Sequence, residues 1–276
     1  GNLVATATTG NITDSGVLTI AGTSSFTTSQ TDADIILDNA NAFTGAVSLN
    51  TTGSSAHATV LDASGLNLAA STVGGNLVAT ATTGNIIDSG VLTIAGTSSF
   101  TTSANNATIT LNNANAFTGA VSLNTTGSSA HATVVDASGL NLAASTVGGN
   151  LSATATTGNM EDSGVLTIAG TSSFTTSANN ADITLDSTNV LTGAVALNTT
   201  GSSGNAIVDN GTTALNIATS SVGGNLTLTS GNASGIIDSG TVTVGGNLVA
   251  TTDANNGLIN LNQLAVSSDI YFTTHG

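Results

Sequence analysis

The sequence predicts an all-β protein, a single parallel β-solenoid over residues 1–276, and three observations predict it. A nearly verbatim repeat runs through the chain, apolar and polar residues alternate within it, and clusters of Gly, Asn, Asp and Ser punctuate the alternation. Together these describe short half-buried strands joined by tight turns and stacked on their own copies.

The repeat comes first. Residues 1–11 return unchanged at 75–85, return at 149–159 with Ser152 in place of a valine, and open again at 224. The repeats are therefore 1–74, 75–148, 149–223 and 224–276, the last divergent. A shorter unit is marked by an acidic or amide residue after an aliphatic run: Asp14, Asp38, Asp62, Asp88, Asn112, Asp136, Asp162, Asp186, Asp209 and Asp238. Successive markers differ in number by 24, 24, 26, 24, 24, 26, 24, 23 and 29. This spacing predicts coils of about 24–26 residues, three to each long repeat, with the stretch 230–234 as an insertion in a turn.

The alternation comes next. Ala107, Ile109 and Leu111 alternate with Thr108 and Thr110, and Ala33, Ile35 and Leu37 and then Ala181, Ile183 and Leu185 repeat the pattern. Three such strands fill a coil. Each coil stacks on the last at about 4.8 Å, so about eleven coils make a rod roughly 50 Å long. No coil buries its apolar face alone; stacking completes the core. Phe26, Phe100 and Phe174 recur once in each long repeat, which makes them spaced plugs rather than a touching aromatic column.

Composition excludes several functions. The chain has no Lys or Arg and 15 acidic residues, and only 5 % of it is charged, against about 25 % in ordinary domains. Phosphate and anionic lipid are gripped by Lys and Arg, so nucleic-acid binding is excluded and no anionic membrane surface is engaged. No apolar run reaches the roughly 18 residues that would span a bilayer as a helix. Cys is absent, which removes disulfides and thiolate metal sites together. A hydrophobic content of 39 % is too high for a disordered chain.

The phrases Asn-Ala-Phe-Thr-Gly-Ala-Val-Ser-Leu at 41–49, Gly-Leu-Asn-Leu-Ala-Ala-Ser-Thr-Val-Gly-Gly-Asn-Leu at 65–77 and Asp-Ser-Gly-Val-Leu-Thr-Ile-Ala-Gly at 88–96 resemble the repeat arrays of large bacterial surface exoproteins similar to filamentous haemagglutinin. The resemblance covers nearly the whole chain and fades after about Asp253. It implies a right-handed β-helix, export to the bacterial cell surface by a two-partner or autotransporter-like route, and an adhesive or fibrous role. It carries no catalytic motif to these positions.

The candidate chemistry is the column of aspartates itself. Asp14, Asp38, Asp62, Asp88, Asp136, Asp162, Asp186, Asp209 and Asp238, one per coil, would repel by about 1 kcal/mol per neighbour in water. Either turn N–H groups neutralise them, or cations do. Calcium takes six to eight oxygens, so one carboxylate per coil is a thin ligand set. The balance also sets a pH response, stabilising towards acid where repulsion wins and the reverse where hydrogen bonds win.

His57 and His131 lie in equivalent Ala-His-Ala-Thr contexts, with Asn205 in the third copy; they read as exposed and dispensable. His275 is uninformative. A glycosidase would need two carboxylates at a set separation, and a lyase cationic groups for an anionic sugar; a surface repeating the same group offers neither as a distinct pocket. Thr-x-Thr pairs suggest ice binding as an alternative, though Thr6 with Thr8, Thr80 with Thr82 and Thr154 with Thr156 occur once in three coils.

What remains is a non-catalytic structural or adhesive fibre, extracellular and without a cofactor. Lacking Lys and Arg, it offers trypsin-like proteases no target, and Met160 is its single methionine. Its coil edges suit end-to-end self-association; other surface or matrix components are candidate partners.

Overall fold

A computed structural model of the chain describes residues 1–275. Every regular element among them is a β-strand, and the strands pair in parallel with the next turn of the winding. The fold is an all-β parallel β-solenoid, and its turns number about 12. They fall into two compact units, Gly1–Asp136 and Ala137–Gly276.

In the first unit the chain alternates between two sheets. Leu3–Ala7 lies on the first; Ile12–Thr13 with Thr19–Ile20 on the second; Ser24–Thr31 on the first; Ile35–Phe43 on the second; Val47–Thr52 on the first; Ala58–Asp62 on the second; and Leu66–Leu68 with Ser71–Val73 on the first. Leu77–Ala81, the counterpart of Leu3–Ala7 one repeat later, then falls on the second sheet, beside Ala58–Asp62. One repeat is thus seven half-turns, and sequence-identical strands occupy opposite sheets.

The second unit obeys the same rule. Leu151–Ala155 pairs with Ser172–Asn179 on one sheet, and its counterpart Leu226–Ser230 pairs with Leu248–Asn255 on the other.

This corrects the predicted coil. Ala58 lies in register with Leu77 and Ser98 with Val121, offsets in numbering of 19 and 23, so three and a half turns fill a repeat rather than three. The count of turns stays near the expected eleven, and the expected three strands per turn recur where one side is split in two, as in Leu77–Ala81, Ile86–Asp88 and Leu92–Ile94. The aspartate spacing misled because it measured recurrences in sequence type, which drift past the winding.

Alternation fixes which face is buried. Ile35 and Leu37 are buried while Ile36 and Asp38 face out, and Ile109 and Leu111 repeat this against Thr110 and Asn112. Register stacks like on like: Ile12 lies on Ile35, which lies on Ala58, which lies on Leu77. Phe26 and Phe100 each gain a partner ring across the core. Phe26 on the first sheet meets Phe43 on the second edge to face, with ring centroids 6.0 Å apart, and Phe100 meets Phe117 at 5.9 Å. Leu191 stands where Phe43 and Phe117 would recur, so Phe174 has no such partner.

The turns are closed by side chains. Buried Thr28, Thr51, Thr102, Thr125, Thr176 and Thr199 each donate Oγ1–H to the carbonyl five residues on. Asp32, Asn106, Asn180 and Asn256 take the left-handed conformation, with φ of 59° to 65°, which short side chains that bond locally tolerate best. Gly45 and Gly119 lie against the backbone of Gly22 and Gly96 one turn earlier, so closely that a Cβ would strike a carbonyl oxygen.

Candidate functional site

The predicted single column of aspartates does not exist. In the first unit Asp14, Asp38 and Asp62 belong to the second sheet and Asp88 and Asp136 to the first. In the second unit Asp162, Asp186 and Asp209 belong to one sheet and Asp238 to the other. The half-turn advance of each repeat carries the marker residue across the core. Even neighbours are offset: Asp62 sits in register with Asn41, not with Asp38.

Two recurring arrangements replace it. The first surrounds Asp88. Its carboxylate accepts the N–H groups of Asn112 and Asn113 and the Nδ2–H of Asn115, the last at 2.7 Å. Asn115 Oδ1 accepts the Leu92 N–H at 2.8 Å, and Asn115 lies on Asp136, whose Oδ2 accepts the Phe117 N–H. Asp14, Asn41 and Asp62 repeat this arrangement in the same unit.

In the second unit Asp162 binds Asp186 N–H, Ser187 N–H and Asn189 in the same way. There Asn210 replaces the expected Asp209: it is fully buried and accepts the Leu191 N–H at 2.7 Å, while Asp209 turns to the Gly211 N–H. Asp238 keeps the outer part, accepting from Asn262 and Gln263.

These bonds set the acidities. At Asp14 partial burial raises the pKa, but the side chains of Asn41 and Asn39 and the N–H groups of Asn39 and Asp38 outweigh it, and the group lies below the ordinary 3.8. At Asp162 deeper burial dominates its hydrogen bonds from Asn189, Ser187 and Asp186, repulsion from Asp186 adds to it, and the group lies above 3.8. Neither sign of the predicted pH response holds throughout; burial decides it site by site.

The second arrangement runs along the corner where the chain enters one sheet. Asn11 Oδ1 accepts the Asp34 N–H at 2.9 Å, Asp34 Oδ1 the His57 N–H at 2.8 Å, His57 Nδ1 the Asn76 N–H at 2.9 Å, and Asn76 Oδ1 the Thr97 N–H at 2.9 Å. In the second unit Asn159, Asp182, Asn205, Asn225 and Asn247 each accept the N–H of the next member, ending on Asp269.

His57 is exposed as expected, but it is a working acceptor in its Nε2–H tautomer, and Asn205 does the same task with Oδ1. His131 is also exposed. His275 Nδ1–H donates to the Thr252 carbonyl at 2.9 Å. The sequence held a signal for this corner: an Asn, Asp or His immediately before Ile12, Ile35, Ala58 and Leu77, and again before Met160, Ile183, Ala206, Leu226 and Leu248.

Chemically, the Asp14, Asp88, Asp162 and Asp238 carboxylates already accept two or three N–H donors each. Among the described residues no three His, Asp or Glu side chains gather closely enough to hold a metal ion. Beside the second unit's corner lies an open hollow of about 210 Å³ lined by Asp182, Asn205, Asn225 and neighbouring strand residues.

Residues 1–50, 55–124, 129–198 and 203–267 match the model of a family described as Repeats of unknown function (DUF5649). The chain belongs to this family. The last three DUF5649 matches begin at 55, 129 and 203, the same step as the long sequence repeat, so one family unit corresponds to seven half-turns of the winding. No curated protein and no solved structure matches the chain.

Proposed function

We propose that this DUF5649 solenoid is a non-catalytic structural or adhesive element of an extracellular fibre or cell-surface stalk, of the kind found in filamentous haemagglutinin-like exoproteins. The observation that carries the reading is the use made of its polar groups: the carboxylates of Asp14, Asp88, Asp162 and Asp238, one in each long repeat, accept backbone N–H groups from the next turn. The repeated acidic chemistry goes into holding turns together, which is what a load-carrying stack requires. The resemblance of the 41–49, 65–77 and 88–96 phrases to exoprotein repeats supports the extracellular placement.

Immunogold labelling of intact producing cells tests placement: surface label is expected, and label only after permeabilisation overturns it. Electron microscopy of the purified chain tests association, with filaments lengthening as concentration rises as the expected result and monodisperse particles the contrary one.

Ice binding is the second reading, favoured by one column: Thr6, Thr27, Asn50, Thr72, Thr93 and Ala116 stand in register facing outward. Asn50 and Ala116 interrupt the threonines. Thermal hysteresis would establish this reading, and its absence at high protein concentration removes it.

A further inference from the structure

Two Asn-Gly sequences occur in the chain, at 210–211 and 256–257, and the fold treats them oppositely. Asn210 is fully buried. Its Oδ1 accepts the Leu191 N–H at 2.7 Å, and its Nδ2 donates to the carbonyls of Leu191, Ala214 and Thr213 at 2.9 to 3.3 Å. Four bonds hold its side-chain amide, and the Gly211 N–H is taken by Asp209 Oδ1 at 2.8 Å. Asn256 is on an exposed turn between Leu248–Asn255 and Ile259–Asn260, with φ 59°. Its backbone N–H is tied to the His275 carbonyl and the Gly257 N–H rests on the Ala254 carbonyl at 3.1 Å, a bond that has to open before attack, while the residue is exposed to solvent.

We propose that Asn256 is a site of spontaneous modification, deamidating through a succinimide while Asn210 is protected. The Gly257 nitrogen attacks Cγ of Asn256 and a new N–Cγ bond forms. The Cγ–Nδ2 bond breaks, and ammonia leaves carrying the proton given up by Gly257. Water then opens the five-membered ring at either carbonyl, giving aspartate or isoaspartate. A glycine next in the chain permits this because it has no Cβ to obstruct the approach.

The counterparts of Asn256 make the outcome specific. Asn106 and Asn180 take the same left-handed conformation but are followed by Ala107 and Ala181, and Asp32, at φ 61°, occupies the equivalent turn. Asp32 Oδ1 accepts the Ser55 N–H at 3.0 Å, as Asn106 Oδ1 accepts that of Ser129. The aspartate product is therefore a residue this turn already accepts elsewhere. The isoaspartate product, with an extra methylene in the main chain, is not, and it displaces the Asn256 N–H from the His275 carbonyl.

Peptide mapping by mass spectrometry after incubation of the folded chain at mildly alkaline pH tests the proposal, with isoaspartate scored separately. Conversion at position 256 at least tenfold faster than at 210 is expected. In concentrated guanidinium the two rates should come within about twofold of each other, since the unfolded sequences offer the same chemistry. No conversion at 256 in the folded chain, or equal rates at 210 and 256 while folded, would overturn it. The Asn256→Asp variant should melt with the unmodified chain; a large loss of stability would contradict the argument from Asp32.

Discussion

A single side-chain acceptor is the unit from which this molecule is built. With 15 acids and no Lys or Arg, no salt bridge to a basic side chain is available, and backbone N–H groups of the next turn take the place of cations. At the corner the identity of the acceptor matters less than its lone pair, as His57 and Asn205 demonstrate. His57→Asn should leave the melting temperature unchanged, whereas His57→Ala should cost about 0.5–1.5 kcal/mol by leaving the Asn76 N–H without its partner; chemical denaturation of the two variants checks both.

The acid response is opposite at two equivalent carboxylates. Asp14, with its lowered pKa, contributes stability above its unfolded value of 3.8 and loses that contribution as pH falls through the folded value. Asp162, with its raised pKa, contributes below 3.8 and loses that contribution as pH rises through its folded value. Carboxyl-carbon NMR titration should place Asp14 below and Asp162 above the ordinary value; the reverse order would refute the burial argument.

At the scale of the strand and its turn, much was legible. Alternation identified the inward faces of Ile35, Leu37, Ile109 and Leu111 correctly, because a strand has only two faces and a period of two distinguishes them. The turns were legible as turns, but not their closure by threonine five residues before a carbonyl, since Thr has other uses in a strand.

Gly119 shows how tightly the corners stack: Gly119→Ala should destabilise by about 1–3 kcal/mol, because the new Cβ meets the Gly96 carbonyl. Ser98 is the contrary case. Its buried Oγ has no hydrogen-bond partner, so Ser98→Ala should be neutral or stabilising. Urea melts of the two variants should move in opposite directions or leave Ser98→Ala unmoved.

At the scale of the whole molecule, the solenoid class was legible and the winding was not. Periodicity in sequence reports how often a kind of residue recurs, whereas a turn closes wherever the backbone meets its neighbour. The two differ here: Asp38, Asp62 and Asp88 step by 24 and 26, whereas Ala58 meets Leu77 and Ser98 meets Val121 across steps of 19 and 23. The aspartate column fails for that reason, and at 209–210 the buried position belongs to Asn210, whereas the charge lies one residue earlier on Asp209.

A direct consequence concerns deletions. Removing residues 75–148 joins 74 to 149, a seam whose flanking sequence matches the one already present between 74 and 75, and should leave a cooperative β fold. Removing a single marker-to-marker stretch such as 15–38 should not. Circular dichroism melts of the two shortened chains distinguish the cases.

The exchange of sheets between Leu3–Ala7 and Leu77–Ala81 has one more outcome. A reagent raised against a single copy of the motif, such as a monoclonal antibody, would find its epitope on alternating flanks, so two bound molecules need not crowd each other despite recognising consecutive copies. Duplication of one genetic unit therefore yields a two-sided display without any new sequence being invented.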